Sequence, residues 1–428
     1  MAAPQISPAR ADQFFTHRLP NGLLLLGQRM PDLESVSVCF YVRTGARDEA
    51  EPALYGVSHF LEHMVFKGTA RRDSEQITLD FNLMGAEFNA FTSLEQTVFY
   101  ARVLNENLPQ AVDLLSDMMR PKLDESDFNM ERNVILEEIA RAEDVPTGQA
   151  YRRMMQTYFT GTPMGHDVLG SKESIRDMAA EGMRAYHARR YAANNLIFAI
   201  AGAFEWDQVV ALVEQHCGGW TGGEEGRSVG PIVPAIPGAT AIVKPQQKQQ
   251  LVLIASPSVG IQDDDLYAAH LAAMALGDGA GSRLFWNIFQ KGLAESASAS
   301  ISPFDSTGLL LTFLSTTPDH APAVLELAQA ELRGLQEDGV QEDELRRAKD
   351  KLISRTVLDG DSAFSRMQDL AYTWVAEGAV RSIQDEMNRI EAVTLADVRR
   401  ALDRFPVTAS QVITAYGPLE AAALGFVS

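Results

Sequence analysis

Apolar and polar residues are spaced along this chain in two ways, one typical of strands and one typical of helices. The succession of strand-like and helix-like segments in the first half is repeated in the second half. Alternating apolar positions predict strands, whereas apolar positions spaced three to four residues apart predict helices. Turn and cap residues mark several boundaries; Asp73, for example, is a suitable N-cap for a helix that ends at Gly85. In the first half the predicted strands are 22–30, 36–44, 87–92, 96–103 and 195–202, and the predicted helices are 54–66, 74–84, 108–119, 124–142 and 148–159.

The second half repeats this plan in outline. A strand over 251–256 precedes a helix over 263–276, and the half closes on a strand over 410–417. The apolar positions of 324–355 match those of 112–142. Because strands follow one another instead of alternating strictly with helices, we predict an α+β fold. It consists of two related domains, each a largely antiparallel sheet with helices packed on it.

The stretch with the most glycine and proline, 218–238, lies between the two halves and is predicted to be a linker. The domains are therefore predicted at 1–217 and 239–428. Only the first of them contains the histidine motif described below.

Composition and charge exclude several classes of function. The chain has 37 basic and 57 acidic residues and a net charge of −20, which disfavours nucleic acid as a partner because phosphate neutralisation needs a basic face. The acidic excess fits either general solubility or an interior that attracts basic peptides. Cys39 and Cys217 are too far apart in sequence to indicate a disulfide framework or a thiolate zinc site, so any zinc here must use histidine and carboxylate.

The terminus and the apolar runs bear on location. No run reaches the roughly 18 residues of a membrane-spanning helix. The first residues lack the basic region and apolar core of a signal peptide. We expect a soluble protein without a membrane span, periplasmic if the initial Met replaces a removed signal peptide and cytoplasmic otherwise.

The predicted helix over 54–66 places three chemically active residues on one face. His59, Glu62 and His63 fall at i, i+3 and i+4, beside an apolar stripe of the same helix. Two histidines one turn apart can bind one metal, and the carboxylate can reach a metal-bound water. This His-x-x-Glu-His order is the inverse of the commoner zinc motif. The alternative is a helix surface on which the two histidines pair with Glu62.

A catalytic zinc takes three protein ligands, and the residues themselves leave the third one open. His166 lies in a Gly/Pro loop, where a role in a turn is favoured. Glu131 and Glu138 lie seven residues apart on a predicted helix and share a face, while Glu137 points to solvent. Such an acidic face is also common on an ordinary exposed helix.

Three blocks, 59–69, 89–97 and 131–139, resemble in order and spacing the pitrilysin/insulinase family of zinc peptidases, the inverzincins. The resemblance covers nearly the whole chain. It is greatest to the short-chain branch that includes the mitochondrial processing peptidase, and it implies a bacterial zinc-bearing subunit. Accordingly 1–217 is expected to be a zinc-binding peptidase domain and 239–428 a peptidase-like domain without metal.

The resemblance also implies roles for the site residues. His59, His63 and Glu138 are expected to bind one Zn²⁺. Glu62 is expected to act as general base toward a zinc-bound water, and Glu131 to orient a histidine or to help bind substrate and zinc.

A further implied role concerns substrate binding. The segment Asn89, Ala90, Phe91 and Thr92 matches the family's edge strand, to which an extended peptide adds through main-chain hydrogen bonds. The alternative is an ordinary hairpin strand.

One segment departs from the family pattern. After a Gly-rich turn the family carries an Arg and, seven residues later, a Tyr that contact the substrate. Here Ile288 or Phe289 stands near the Arg position and Glu295 stands at the Tyr position. We therefore predict a heterodimer whose second, homologous subunit supplies the missing pair, with a homodimer as the alternative.

The sequence thus predicts a zinc metalloendopeptidase, a hydrolase that acts on extended or unfolded peptides. Two alternatives stay open. One is a non-catalytic scaffold or assembly subunit of the same fold, and the other is a zinc-dependent esterase.

Overall fold

The structure is a computed structural model that describes residues 13–227 and 236–426. The expectation about a signal peptide falls on residues 1–12 and part of the predicted linker on 228–235, both outside the described residues. The strands are β1 (Gln13–Arg18), β2 (Leu24–Arg29), β3 (Ser35–Val42), β4 (Glu87–Thr92), β5 (Thr97–Leu104), β6 (Leu196–Gly202), β7 (Gly238–Val243), β8 (Gln250–Ser258), β9 (Ser296–Phe304), β10 (Thr307–Thr316) and β11 (Val412–Gly417).

Helices make up most of the remaining regular structure. They are α1 (Val57–Val65), α2 (Ser74–Leu83), α3 (Leu108–Met118), α4 (Glu125–Glu143), α5 (Pro146–Tyr158), α6 (Lys172–Asp177), α7 (Ala180–Arg190), α8 (Trp206–Cys217), α9 (Leu266–Gly277), α10 (Ala321–Asp338), α11 (Glu342–Gly360), α12 (Ala363–Glu377), α13 (Ile383–Ala392) and α14 (Leu395–Arg404).

The described residues form two compact units. Among them, the first unit takes 13–136, 168–227 and 357–383, and the second takes 137–167, 236–356 and 384–426. Each contains one sheet with helices packed on it, which confirms the predicted fold class.

The sheet of the first unit has the strand order β1-β2-β6-β3-β5-β4. Only the β2–β6 pair is parallel, and the other pairs are antiparallel. One face of the sheet packs against α12 through residues such as Met367 and Leu370. Helix α1 contacts β4 and β5, and α3 contacts β3 and β5. Strand β6 is buried along its whole length, which explains why its sequence is almost continuously apolar instead of alternating.

The sheet of the second unit has the order β7-β11-β8-β10-β9, again with one parallel pair, β7–β11. Its core joins alternate residues of β8 and β10 with α9, α10 and α14. Helix α5 contacts β8 and β11. This repeat of the first plan agrees with the internal similarity of the sequence.

The compact units are not contiguous along the chain, which is a difference from the predicted division at 1–217 and 239–428. Segment 137–167 packs in the second unit and 357–383 in the first. The physical reason is that α5 buries its apolar face on β8 and β11, whereas α12 buries its own on β2, β3 and β6. The proposed boundary therefore stays a prediction about the two sequence halves.

The glycine-rich stretch is partly bound to the first unit. Gly226 donates its N–H to Oδ1 of Asn195, and Arg227 pairs with Asp48. No described helix has the length and apolar content needed to cross a membrane.

Candidate metal centre

The helix that carries the histidine motif begins at a left-handed glycine. Gly56 precedes α1 with φ 93°, so the helix starts later than the predicted residue 54. The buried carboxylate of Glu49 accepts hydrogen bonds from the N–H groups of Gly56 and Ser58, at 2.7 and 2.8 Å. A negative group at this position satisfies two backbone donors and complements the helix dipole. Glu49 thus fixes where α1 begins.

The same glycine allows two backbone segments to meet. A Cβ on Gly56 would lie 2.7 Å from the carbonyl oxygen of Leu169, and one on Gly170 would lie 2.4 Å from that of Tyr55. Both glycines have positive φ. Only residues without a side chain fit here, so this contact holds the N-terminus of α1 in place.

The faces of α1 follow the prediction. Val57, Leu61 and Val65 are fully buried and form the apolar stripe. His59 and His63 lie on the neighbouring stripe, with ring centroids 4.7 Å apart and an interplanar angle of 61°.

Helix α4 contacts α1 through stacked aromatic rings. The rings of Phe60 and Phe128 are parallel within 10°, with centroids 4.5 Å apart. Phe128 and Ile135 form a buried stripe on α4, and Glu131 lies between them on the same face. This packing turns the acidic face of α4 toward the histidines. The predicted exposure of Glu137 is confirmed.

Two imidazoles and one carboxylate converge. Ligand atoms of His59, His63 and Glu138 all lie within 4.8 Å of one another. Helix α4 is continuous from Glu125 to Glu143, so Glu138 keeps its helical position two turns beyond Glu131. Two histidines and one carboxylate are a donor set found in catalytic zinc sites. The residues therefore fit the metal that the resemblance implies.

The protonation of His59 also suits a metal ligand. Burial, reinforced by the neighbouring His63, lowers the pKa of His59 to about 4. Its imidazole is therefore neutral near pH 7, and the neutral ring is the form that binds a metal.

Glu131 binds a ligand residue and is not part of the converging group. Its Oε1 lies 2.8 Å from Nδ1 of His63, and its Oε2 lies 2.6 Å from Nζ of Lys67. Burial would raise the pKa of Glu131, but the hydrogen bonds from His63 and Lys67 outweigh it and lower that pKa. An ionised carboxylate can only accept, so Nδ1 of His63 donates and Nε2 is left for the metal.

Glu62 has a partner on strand β4. The hydroxyl of Thr92 donates to Oε2 of Glu62 at 2.6 Å. The sequence predicts Thr92 in the substrate strand but does not indicate this contact, nor the roles of Glu49 and Lys67. No periodic signal could have revealed them, because each depends on the packing of separate segments.

Strand β4 lies at the end of its sheet. Its residues Asn89, Ala90, Phe91 and Thr92 pair with β5, and no described strand pairs with the outer side of β4. The side chain of Asn89 accepts a hydrogen bond from the N–H of Ala90 at 2.9 Å. The predicted edge position is therefore present.

The segment that departs from the family pattern forms a short π-helical turn, Phe285–Phe289. Trp286 and Phe289 are exposed there, and Ile288 is buried. Glu295 is exposed and accepts a hydrogen bond from Gln249 at 2.6 Å. An exposed aromatic ring and a carboxylate thus lie near the positions where the family carries a guanidinium and a phenol.

Sequence comparison connects this site with known proteins. Residues 26–172 match the description of the insulinase family, peptidase family M16, and residues 177–352 match the peptidase M16 inactive domain. An uncharacterized zinc protease of Streptomyces coelicolor is 32% identical over 94% of this chain and 89% of its own length. One of Rickettsia bellii is 30% identical over 92% of this chain and 95% of its own length.

Solved structures show the same fold. A protease from Helicobacter pylori superposes with a TM-score of 0.87 at 20% identity, covering 95% of this chain and 99% of its own. A chain of complex III2 from Candida albicans superposes with a TM-score of 0.81 at 18% identity, covering 95% of this chain and 97% of its own. With zinc proteases at 30% identity or more along nearly its whole length, this chain belongs to the insulinase family of peptidases, family M16.

Proposed function

We propose that this protein is a zinc-dependent endopeptidase that hydrolyses extended or unfolded peptides. The observation that carries the proposal is the convergence of His59 and His63 of α1 with Glu138 of α4, whose ligand atoms lie within 4.8 Å of one another. Glu62 lies on α1 beside the two histidines. The names of the relatives, which are zinc proteases, support the same activity.

Each residue of the site has a task in this reaction. Zinc, when bound, polarises the scissile carbonyl and makes a neighbouring water more acidic. Glu62 accepts a proton from the attacking water and then gives it to the nitrogen of the leaving amine. Glu131 holds His63 in the tautomer that leaves Nε2 for the metal.

The substrate is proposed to add to strand β4. An extended peptide can bond to the outer edge through its main chain, and main-chain groups are common to all peptides. This mode predicts broad tolerance of sequence. It also favours unfolded substrates, because only an extended segment can pair along Asn89 to Thr92.

A second subunit is proposed to complete the site. This chain has Ile288 or Phe289 near the position where the family carries an Arg, and Glu295 where it carries a Tyr. A partner with that pair would supply a cation and a phenol beside the scissile bond, whereas a homodimer would leave every site without them. If the chain alone cleaves peptides at full rate and its natural partner does not raise that rate, the heterodimer proposal is wrong.

The scaffold alternative has specific observations in its favour. The chain matches a domain described as inactive, and one structural neighbour is a chain of complex III2. The presence of all three metal-binding candidates together with Glu62 argues against it, because a purely structural subunit has no use for them.

The decisive experiment uses the complex purified from its native source. Metal content is measured on the wild type and on Glu62→Gln, together with digestion of a peptide library. We expect unchanged zinc in Glu62→Gln and hydrolysis slower by about 10²- to 10⁴-fold, the range for loss of a general base. The control is Glu137→Gln, an exposed carboxylate on α4. A wild-type complex without zinc supports the scaffold, and full activity in Glu62→Gln refutes the proposed chemistry.

A further inference from the structure

Thr92 belongs to two parts of the proposed site at once. Its hydroxyl lies 2.6 Å from Oε2 of Glu62, and its backbone is the last residue of the edge strand β4. We propose that Thr92 is a positioning residue that orients Glu62 beside the strand along which a peptide is proposed to bind. The inference rests on the proposed peptidase function.

The backbone of Thr92 faces the outer edge of the sheet. The N–H of Ser93 donates to the carbonyl of Gln96 at 2.8 Å, which closes the hairpin between β4 and β5. Hydrogen-bonded and non-hydrogen-bonded pairs alternate along antiparallel strands. The next pair, Thr92 with Thr97, is therefore non-hydrogen-bonded, and the N–H and C=O of Thr92 point away from β5.

A second observation agrees with this alternation. Two residues earlier, the N–H of Ala90 donates to the side chain of Asn89 and not to β5. The backbone groups of Ala90 and Thr92 thus point to the edge where a peptide would add, and the N–H of Ala90 is bonded there to Asn89. A substrate strand that bonds to Thr92 touches the residue whose hydroxyl holds the base.

The hydroxyl of Thr92 has one hydrogen and a well-defined acceptor. Thr97 lies behind it, with the two Oγ1 atoms 3.5 Å apart, and Thr97 donates its own hydrogen to the carbonyl of Thr44 at 3.0 Å. The contact to Glu62 at 2.6 Å is much shorter than the one to Thr97, which makes Glu62 the acceptor of the Thr92 hydrogen. The strand pairing fixes the Thr92 backbone, so this bond fixes the direction of the Glu62 carboxylate.

The test separates the hydroxyl from the shape of the side chain. Thr92→Val keeps the branched shape and removes the donor, whereas Thr92→Ser keeps the donor. In the complex we expect Thr92→Val to lower kcat by about 10- to 100-fold with KM changed by less than about twofold, and Thr92→Ser to stay near the wild type. The control is Thr78→Val, whose hydroxyl bonds only to its own helix on the exposed side of α2.

Two readouts do not depend on turnover. Zinc content and the Kd of a peptide analogue with a reduced, uncleavable bond should both stay unchanged in Thr92→Val. A role in metal binding would lower the zinc content, and a role in substrate binding alone would raise the Kd with kcat unchanged; either result overturns the inference.

The remaining outcomes distinguish this inference from the function beneath it. Equal losses in Thr92→Val and Thr92→Ser overturn the role of the hydroxyl, as does wild-type kcat in Thr92→Val while Glu62→Gln is inactive. Full activity in Glu62→Gln instead overturns the proposed function itself.

Discussion

Nδ1 of His63 lies 2.8 Å from Oε1 of Glu131, although 68 residues separate them in the chain. Lys67 binds the other oxygen of the same carboxylate. Glu131 therefore holds one proposed metal ligand in place without being a ligand itself. This arrangement extends the candidate site from α1 into α4 and the turn after α1.

The first prediction concerns that contact. Glu131→Gln removes the charge while keeping the shape, so His63 loses a strong acceptor and its tautomer is less well fixed. We expect zinc affinity to fall by about 10- to 100-fold. Competition with a chelator of known affinity measures it, and Glu137→Gln on the exposed side of α4 serves as the control. Unchanged affinity would show that the His63 orientation is set by packing alone.

The second prediction concerns the start of α1. Glu49→Gln replaces an oxygen that accepts from the backbone of Gly56 or Ser58 by an amide that donates. A buried donor facing a donor costs about 1–3 kcal/mol of the free energy of unfolding. Thermal unfolding of Glu49→Gln should show a lower midpoint than the wild type. Glu51 is exposed nearby, so Glu51→Gln should leave the midpoint unchanged. Equal midpoints for the two variants would contradict the capping role.

The third prediction concerns the glycine contact before α1. Gly56→Ala places a methyl group 2.7 Å from the carbonyl of Leu169 and also strains a positive φ. The comparison variant is Gly85→Ala, which has φ +61° and open space around it. Gly85→Ala should cost about 1–2 kcal/mol from strain, and Gly56→Ala about 1–3 kcal/mol more from the clash. Urea denaturation measures both, and similar losses would mean that the backbone adjusts without cost.

The fourth prediction is a pH dependence. Burial would raise the pKa of Asp113, but hydrogen bonds from Arg71 and Arg72 outweigh it and lower that pKa. The stabilisation is therefore complete above the ordinary aspartate value of about 3.9 and is lost as the pH falls through the lower folded value. Asp113→Asn should cost about 1–3 kcal/mol at pH 7, and the difference from wild type should shrink below about pH 4.

Thermal unfolding between pH 7 and pH 2.5 tests this dependence. Asp403→Asn is the control, because its pair with Arg399 is exposed and should contribute less than about 1 kcal/mol. A difference between wild type and Asp113→Asn that does not vary with pH would refute the ion-pair explanation.

Local patterns predicted many elements closely. Strand β4 has the predicted bounds, and Asp73 caps α2 by accepting from the N–H of Gln76 at 2.8 Å. The apolar stripe of α1 is buried as expected. These features depend on neighbours within one or two turns of the chain, which is the range that periodicity reports.

Elements whose two faces differ little in hydrophobicity were not predicted. Strand β9 alternates alanine and serine, so its two faces hardly differ in hydrophobicity. Helix α7 mixes alanine with charged residues and has few large apolar side chains. Contacts with other elements stabilise β9, which pairs with β10 and contacts α9.

The fold class, the family and the helix face that carries His59, Glu62 and His63 can all be predicted from the sequence. Periodicity left Glu131 and Glu138 on one face of α4, and tertiary packing brings Glu138 to the histidines and sets Glu131 behind His63. It also brought Thr92 to Glu62 and packed α12 on the first sheet. Periodicity describes which face of an element is buried, whereas contacts between distant segments depend on how whole elements pack, and no local pattern contains that information.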